Sequence, residues 1–318
     1  LTSAYLLAKA GKRVLVLDDG AIAGGETQQT TAHLSYVLGN RYEWFERVHG
    51  EERAKLIAQS HAAAIDQIES IVKQEHIECQ FTRVSGYLFL TPGDAPELLT
   101  KEQEVLHRLG FTGVIVRPSV SDMGTIEGPV LEFPKQGQFH ILHYIAGLAA
   151  AATKAGATIH TKTHAKHIEA GEPCHVQTSE GYEISAKDLL IATNAPVKDN
   201  VQIYSKQAPY RTYVLGLSVP KGSVKKALYW DTAQELDGYH YVRIVEEPGA
   251  KGDTLIVGGE DHKTAQQNDA ELRFSRLEQW ARAKFPSAKD VTYRWSGQVM
   301  ESYDGIALIG RLPANGDH

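Results

Sequence analysis

The opening stretch, LTSAYLLAKAGKRVLVLDDG, constrains the fold more than any other part of the chain. Leu1, Tyr5, Leu6 and Leu7 with Ala4, Ala8 and Ala10 give an apolar helical segment. Gly11 stands where a left-handed glycine would end that helix, and Val14 to Leu17 form a short apolar strand. A helix, a glycine, a strand and an acid in this order make the second half of a dinucleotide-binding βαβ unit. There the acid closing the second strand lies roughly 20 residues beyond a glycine-rich first turn. Counting back from Asp18 puts that turn just ahead of Leu1, so the chain is expected to begin inside the unit. The same order also serves as a plain helix-to-strand connection in any α/β protein, and this stretch alone leaves both readings open.

Downstream segments extend the pattern. DGAIAGGETQQTTAHLSY is rich in Gly and Thr and reads as a structured loop. Glu51 to Ile77 predicts a long helix with Ile57, Ala64, Ile65, Ile68, Ile71 and Val72 on one face. Two strands, Gln80 to Val84 and Tyr87 to Thr91, are expected to form a hairpin turning at Ser85-Gly86, and a helix is expected over Pro96 to Leu109. FHILHYIAGLAAAATKAGATIH repeats the helix, glycine, strand order of the N-terminus, and DLLIATNAP reads as a buried strand. PYRTYVLGLSV and YHYVRIVEE alternate as antiparallel strands with one wet face, and a last helix is expected over Asp269 to Phe285. The order predicts an α/β chain, α+β overall, in which a nucleotide-binding domain is visited, left and revisited around an inserted β-rich domain.

Composition removes several classes of function. A net charge of −6 gives no general attraction to nucleic acid or an anionic membrane. Two cysteines, Cys79 and Cys174, cannot form a disulfide framework or a Cys-rich metal site, and they suit a reducing, cytoplasmic setting. No apolar run approaches the roughly 20 residues of a membrane span. No metal site is expected, and the 14 histidines scatter along the chain.

KRVLVLDDG, GGETQQTTAHLS, AGATIHTKTHAKHIEA, DLLIATNAP, YHYVR, LIVGGEDHK and WSGQVMESYDGIALIGR occur in the order found in the D-amino-acid oxidase and glycine oxidase superfamily of FAD-dependent oxidoreductases. The chain resembles the flavin part of that superfamily, and within it the branch in which a Rieske iron-sulfur domain comes next. The resemblance implies a discontinuous, Rossmann-like FAD-binding domain over residues 1–78, 138–199 and 295–318. It implies an inserted antiparallel-sheet substrate domain over 79–137 and 200–294. It also implies a glycine-rich turn and helix after the last motif, which the chain is expected to lack, as it lacks the first glycine loop.

The same resemblance supplies the expected site. Asp18, with Asp19 as its competitor, would accept hydrogen bonds from the adenosine ribose. Gly24, Gly25, Thr27, Thr30, Thr31, Ala32 and His33 would form the loop that wraps the pyrophosphate and approaches the flavin. Small hydroxyls and open backbone suit phosphate oxygens. Some members tether flavin through a His or Cys near this loop, which makes His33 a candidate. Its spacing departs from that motif, so a non-covalent neighbour of the ring or a packed histidine is the expectation. Ala165 and Lys166 would meet the adenine edge with their backbone. Ala192, Thr193 and Asn194 would pass under the cofactor, although Ala195 and Pro196 stand where the family often has glycine.

For chemistry, Arg243, Tyr241 and Arg211 are the candidates, because a substrate carboxylate calls for an arginine fork. Alternation puts Tyr239, Tyr241 and Arg243 on one face, either pocket or solvent, with Tyr213 beside Arg211. Trp230 and Asp231 either wall the pocket or are a packed indole and a turn acid. The resemblance implies oxidation of a C–N bond of a small amine or amino acid by hydride transfer to FAD, with oxygen or a downstream redox partner as final acceptor. A hydroxy acid as donor, or a non-catalytic nucleotide-binding module, are the alternatives.

Overall fold

A computed structural model describes residues 1–195, 205–233, 239–246 and 249–310. Helix α1 (Thr2–Lys9) leads into β1 (Leu15–Leu17). Gly11 takes φ +77°, and the Gly11 and Lys12 amides bond the carbonyls of Ala8 and Leu7, so the glycine closes the helix as its position predicts. After the Gly- and Thr-rich loop and β2 (His33–Leu34) come α2 (Tyr42–His49) and α3 (Glu51–Gln74). Helix α2 was not legible in the sequence. It is held at its start by buried Glu102, whose two oxygens accept from the Tyr42 and Glu43 amides at 2.7 and 3.0 Å.

Strand β3 (Thr82–Phe89) corrects the expected hairpin: residues 82–89 run as one strand through Ser85-Gly86. Gly86 is there for space, because a Cβ at this position would strike the Trp230 ring. Next come α4 (Glu97–Arg108), β4 (Ile115–Arg117), β5 (Val130–Gln138) and α5 (Ile141–Lys154). Gly156 closes α5 with the hydrogen-bond pattern that Gly11 gives α1. Strand β6 (Thr158–His160) then pairs in parallel with β1, which joins the two helix, glycine, strand segments side by side.

Strands β7 (Ala165–Glu169), β8 (Cys174–Thr178) and β9 (Glu183–Ala186) make a separate antiparallel sheet. The expected buried strand DLLIATNAP is a second correction. Its described residues have no ladder partner, and Leu189 and Leu190 are exposed, since an apolar run becomes a strand only beside another strand. Pro196 and the expected domain boundary at 199/200 lie outside the described residues.

The rest is β10 (Gln207–Pro220), β11 (Leu228–Asp231), β12 (His240–Glu246), β13 (Gly252–Lys263), α6 (Ala270–Lys284) and β14 (Val291–Ser302). They build a nine-stranded mixed sheet ordered β14-β10-β13-β12-β11-β3-β5-β2, with β4 on β5. One face packs Tyr213, Leu215, Tyr229, Val242, Ile244 and Val257 against Leu277 and Ala281 of α6. The other packs Leu88, Phe133, Leu228 and Trp230 against α2, α3 and α4. A third core, with Tyr5, Ile71, Tyr144 and Leu148, joins α1, α3 and α5. Among the described residues no helix is long and apolar enough to cross a membrane. Both cysteines are free.

Candidate functional site

Alternation along β12 divides its side chains cleanly. His240, Val242 and Ile244 are buried on the α6 face, and Tyr241, Arg243 and Val245 lie on the helix-covered face. The register Trp230↔Tyr241 and Leu228↔Arg243 puts Trp230 on the second face as well. Trp230 and Asp231 therefore point to opposite sides of the sheet. Trp230 packs in the helix-side core, while Asp231 Oδ2 meets His240 Nδ1 at 2.7 Å.

Tyr239 and Tyr241 stand with ring centroids 5.8 Å apart. The Tyr241 hydroxyl shares a 2.8 Å hydrogen bond with Thr212 of β10. Opposite Tyr241, Gly258 leaves room for the phenol ring, which any Cβ there would strike. Asp261 joins this face because of a bulge: Tyr213 pairs with Gly259 and Arg211 with His262, so Glu260 and Asp261 together oppose Thr212. Glu260 takes φ +60° and reaches Arg276 of α6 at 2.6 Å, while Asp261 faces Thr212, the two tyrosines and Glu301. Burial, reinforced by the Glu301 carboxylate, pushes the Asp261 pKa up to about 7, against the pull of Thr212, His240 and Arg273. Its Oδ1 is sealed from solvent without a hydrogen-bond partner. Burial also holds both tyrosines protonated well above the usual phenol range.

Arg211 and Arg243 do not converge. Arg211 donates to Ser296 Oγ at 2.9 Å on the α6 side, where Tyr213 also lies, its hydroxyl 2.9 Å from His262 Nε2. Arg243 lies four residues beyond Tyr239, about 13 Å along an extended strand, where it lines a cavity with Gln138 and His140.

His33 sits between these regions, its ring edge-on to Tyr241 at 5.5 Å. One nitrogen, Nε2, is 3.2 Å from the Val242 carbonyl and must carry the proton; the other, Nδ1, accepts from Thr31 Oγ1 at 3.1 Å. Burial and the Arg243 guanidinium push its pKa down to about 3, so the ring is neutral with both nitrogens engaged.

The Gly- and Thr-rich loop runs from the end of β1 to His33. Asp18 Oδ1 accepts from the Gly20 amide at 2.9 Å. Asp19 is exposed, 3.7 Å from His164. Space beside Gly25 is open, whereas Gly24 turns tightly on Ala21. Thr27 lies in a short 3-10 turn, Glu26–Gln29, and Thr30 Oγ1 accepts from the Ala32 amide at 3.2 Å. Ala32 is buried at φ +58°. The turn is clasped to β14: the Trp295 indole donates to the Gln29 carbonyl at 2.8 Å, and the Gln298 amide donates to Glu26 at 2.7 Å. Ala165 and Lys166 open β7, and Ala192, Thr193 and Asn194 form an exposed turn in which Thr193 donates to the Ala195 carbonyl at 2.7 Å. Sequence reasoning missed Thr212 and Asp261. The paired glycines of LIVGGEDHK, where a strand bulges and admits a ring, were the available signal for Asp261.

The DAO family of FAD dependent oxidoreductases matches residues 1–318. The putative Rieske 2Fe-2S iron-sulfur protein YhfW of Bacillus subtilis (strain 168) is 27% identical over 320 residues, which cover 100% of this chain and 61% of YhfW. Gamma-glutamylputrescine oxidoreductase of Escherichia coli (strain K12) is 25% identical over 335 residues, 99% of this chain and 74% of that protein. This chain thus spans only part of the length of both relatives. Among solved structures, glycine oxidase from Geobacillus kaustophilus aligns with a TM-score of 0.77 at 17% identity, covering 98% of this chain and 83% of that one. L-proline dehydrogenase from P. horikoshii aligns at 0.70 and 15% identity, covering 99% and 82%. At such identities the structural likeness concerns the fold.

Proposed function

The chain belongs to the DAO family of FAD-dependent oxidoreductases, and from that premise we propose that it oxidises the C–N bond of a small amine by hydride transfer to FAD. The residues present fit the adenosine end of this cofactor. Asp18 offers an acceptor at a strand end, and the open space at Gly25 lets backbone approach a phosphate. When bound, FAD supplies the hydride acceptor, and the protein's part is to hold the donor and move its proton.

One observation carries the reading: Asp261, with a pKa of about 7 and an orphaned oxygen, stands on the tyrosine-lined face of the sheet. An amine arrives as its ammonium form, and its carbon gives up a hydride only once the nitrogen lone pair is free. A carboxylate that first holds the ammonium and then takes its proton suits both steps, and a pKa near neutrality is where such a base works best. Tyr239 and Tyr241 remain protonated and orient the nitrogen. An amino acid is the less favoured donor, since Arg211 turns to the other face and Arg243 stands about 13 Å away along β12.

With this reading goes a division of labour along the chain: residues 1–78, 138–199 and 295–318 serve the cofactor, 79–137 and 200–294 the substrate, and oxygen or an iron-sulfur partner takes the electrons onward. The test is anaerobic mixing of the FAD-loaded protein with primary amines, amino acids and hydroxy acids. Bleaching of the flavin by amines is expected. Bleaching by hydroxy acids alone would replace the donor, and bound FAD that nothing bleaches would leave a nucleotide-binding module.

A further inference from the structure

The cavity beside Arg243 is not lined by Asp261 and has its own chemistry. It is open to solvent on one side, with a volume of about 420 Å³, and is lined by residues of β3, β5 and β12 with the start of α5 and two lysines, Lys221 and Lys226. Arg243 Nε is sealed from solvent with no hydrogen-bond partner, and no carboxylate among the described residues forms an ion pair with its guanidinium. Glu246, the acid of this cavity, is taken by Lys226 at 2.6 Å. A guanidinium is too weak an acid to shed its charge, so leaving one buried and unpaired is costly unless an anion belongs beside it. Burial alone pulls its pKa down to about 10, which leaves it charged at neutral pH.

Two further groups refine the ligand. Gln138 Nε2 donates to the Ile244 carbonyl at 2.9 Å, which fixes the amide orientation, and its Oε1 is left buried with no donor. His140 Nδ1 accepts from the His143 amide at 3.3 Å, and the two rings stack at 3.8 Å. Burial, His143 and Arg243 all lower the pKa of His140, so its ring is neutral and offers one N–H. The wall thus presents an unpaired cation, a neutral donor and an unpaired acceptor.

We propose that this cavity is a binding site for a small organic carboxylate that carries an N–H group, of the N-acylated amino-acid type, with its carboxylate on Arg243 and its N–H on Gln138 Oε1. The site does not depend on the flavin chemistry, so binding can be measured directly. Titration calorimetry on the full chain would use N-acetylglycine, its isostere levulinate without the N–H, uncharged N-acetylglycinamide, and inorganic phosphate. Saturable binding of N-acetylglycine is expected, with levulinate about tenfold weaker and the uncharged amide silent. Arg243→Met should abolish binding while melting at or above the wild-type temperature, because it removes an unpaired buried charge. Val245→Phe fills the cavity without touching a polar group and should abolish binding too, which keeps the test decisive if the first variant fails to fold. Unchanged binding in either variant, or none in the wild type, overturns the site. Phosphate binding as tightly as N-acetylglycine overturns the carboxylate assignment.

Discussion

On the α6 face of β12, His240 is enclosed by compensating charge. Asp231 meets its Nδ1 and also accepts from its amide at 3.0 Å, Glu260 lies 3.9 Å from its Nε2, which has no hydrogen-bond partner, Arg276 pairs with Glu260, and Trp280 stacks on the ring at 4.0 Å. On the other face the charged groups are partly buried and, among the described residues, have no ion-pair partner: Asp261 has an orphaned oxygen and no base bound to it, and Arg243 has no acid. The strand is the same, and the side chains are of the same kinds. The difference teaches that buried charge on its own says little about function, whereas buried charge whose counterpart is missing points to something that arrives from outside.

Three substitutions would break or sharpen that contrast. The largest effect is expected from Asp261→Asn, which should lower kcat/KM for the amine by about 10² to 10⁴. Wild-type activity should rise with pH through about 7, as Asp261 loses its proton, and the variant should lose that limb. Steady-state kinetics across pH checks both. On the opposite face, Asp231→Ala strips His240 of its partner and should cost about 3 to 5 kcal/mol in denaturant unfolding, a loss the Asp261 variant should not show.

Gly258→Ala is expected to cost about 1 to 3 kcal/mol and to displace the Tyr241 ring, which a crystal structure of the variant would reveal. The smallest effect is in stability against pH. Folded Asp261 keeps its proton up to about pH 7 while the unfolded carboxyl loses it near 4, so the native protein loses stability as pH rises across that window. Asp261→Asn removes the loss. It should match the wild type at pH 4 and exceed it by about 1 to 2 kcal/mol at pH 8, after allowance for solvent screening.

Much of this architecture was legible in the sequence where local chemistry decides it. Gly11 and Gly156 close their helices as their positions foretell, and the shared face of Tyr239, Tyr241 and Arg243 comes from a period of two. What escaped depends on distant partners. Ser85-Gly86 looks like a turn until Trp230 is found lying across it, and α2 needs Glu102 from another helix to start. DLLIA has a strand's composition without a strand's neighbour. In the site, sequence could place Asp18 at a strand end and the glycines in a loop, but not which arginine turns inward. Arg211 and Arg243 differ by which face of the sheet their strands present, and that is a matter of register.

The bulge at Glu260–Asp261 has a bearing on how such a pocket could change over time. A single additional residue in β13 sends one acid to α6 and the next to the tyrosines. Deleting either acid would leave the other opposite Thr212, on the tyrosine face, and would leave Arg276 without its partner. The charge on each face of the sheet is therefore governed by strand length as much as by residue identity, and a one-codon deletion would alter both faces at once, which no single substitution in between would do.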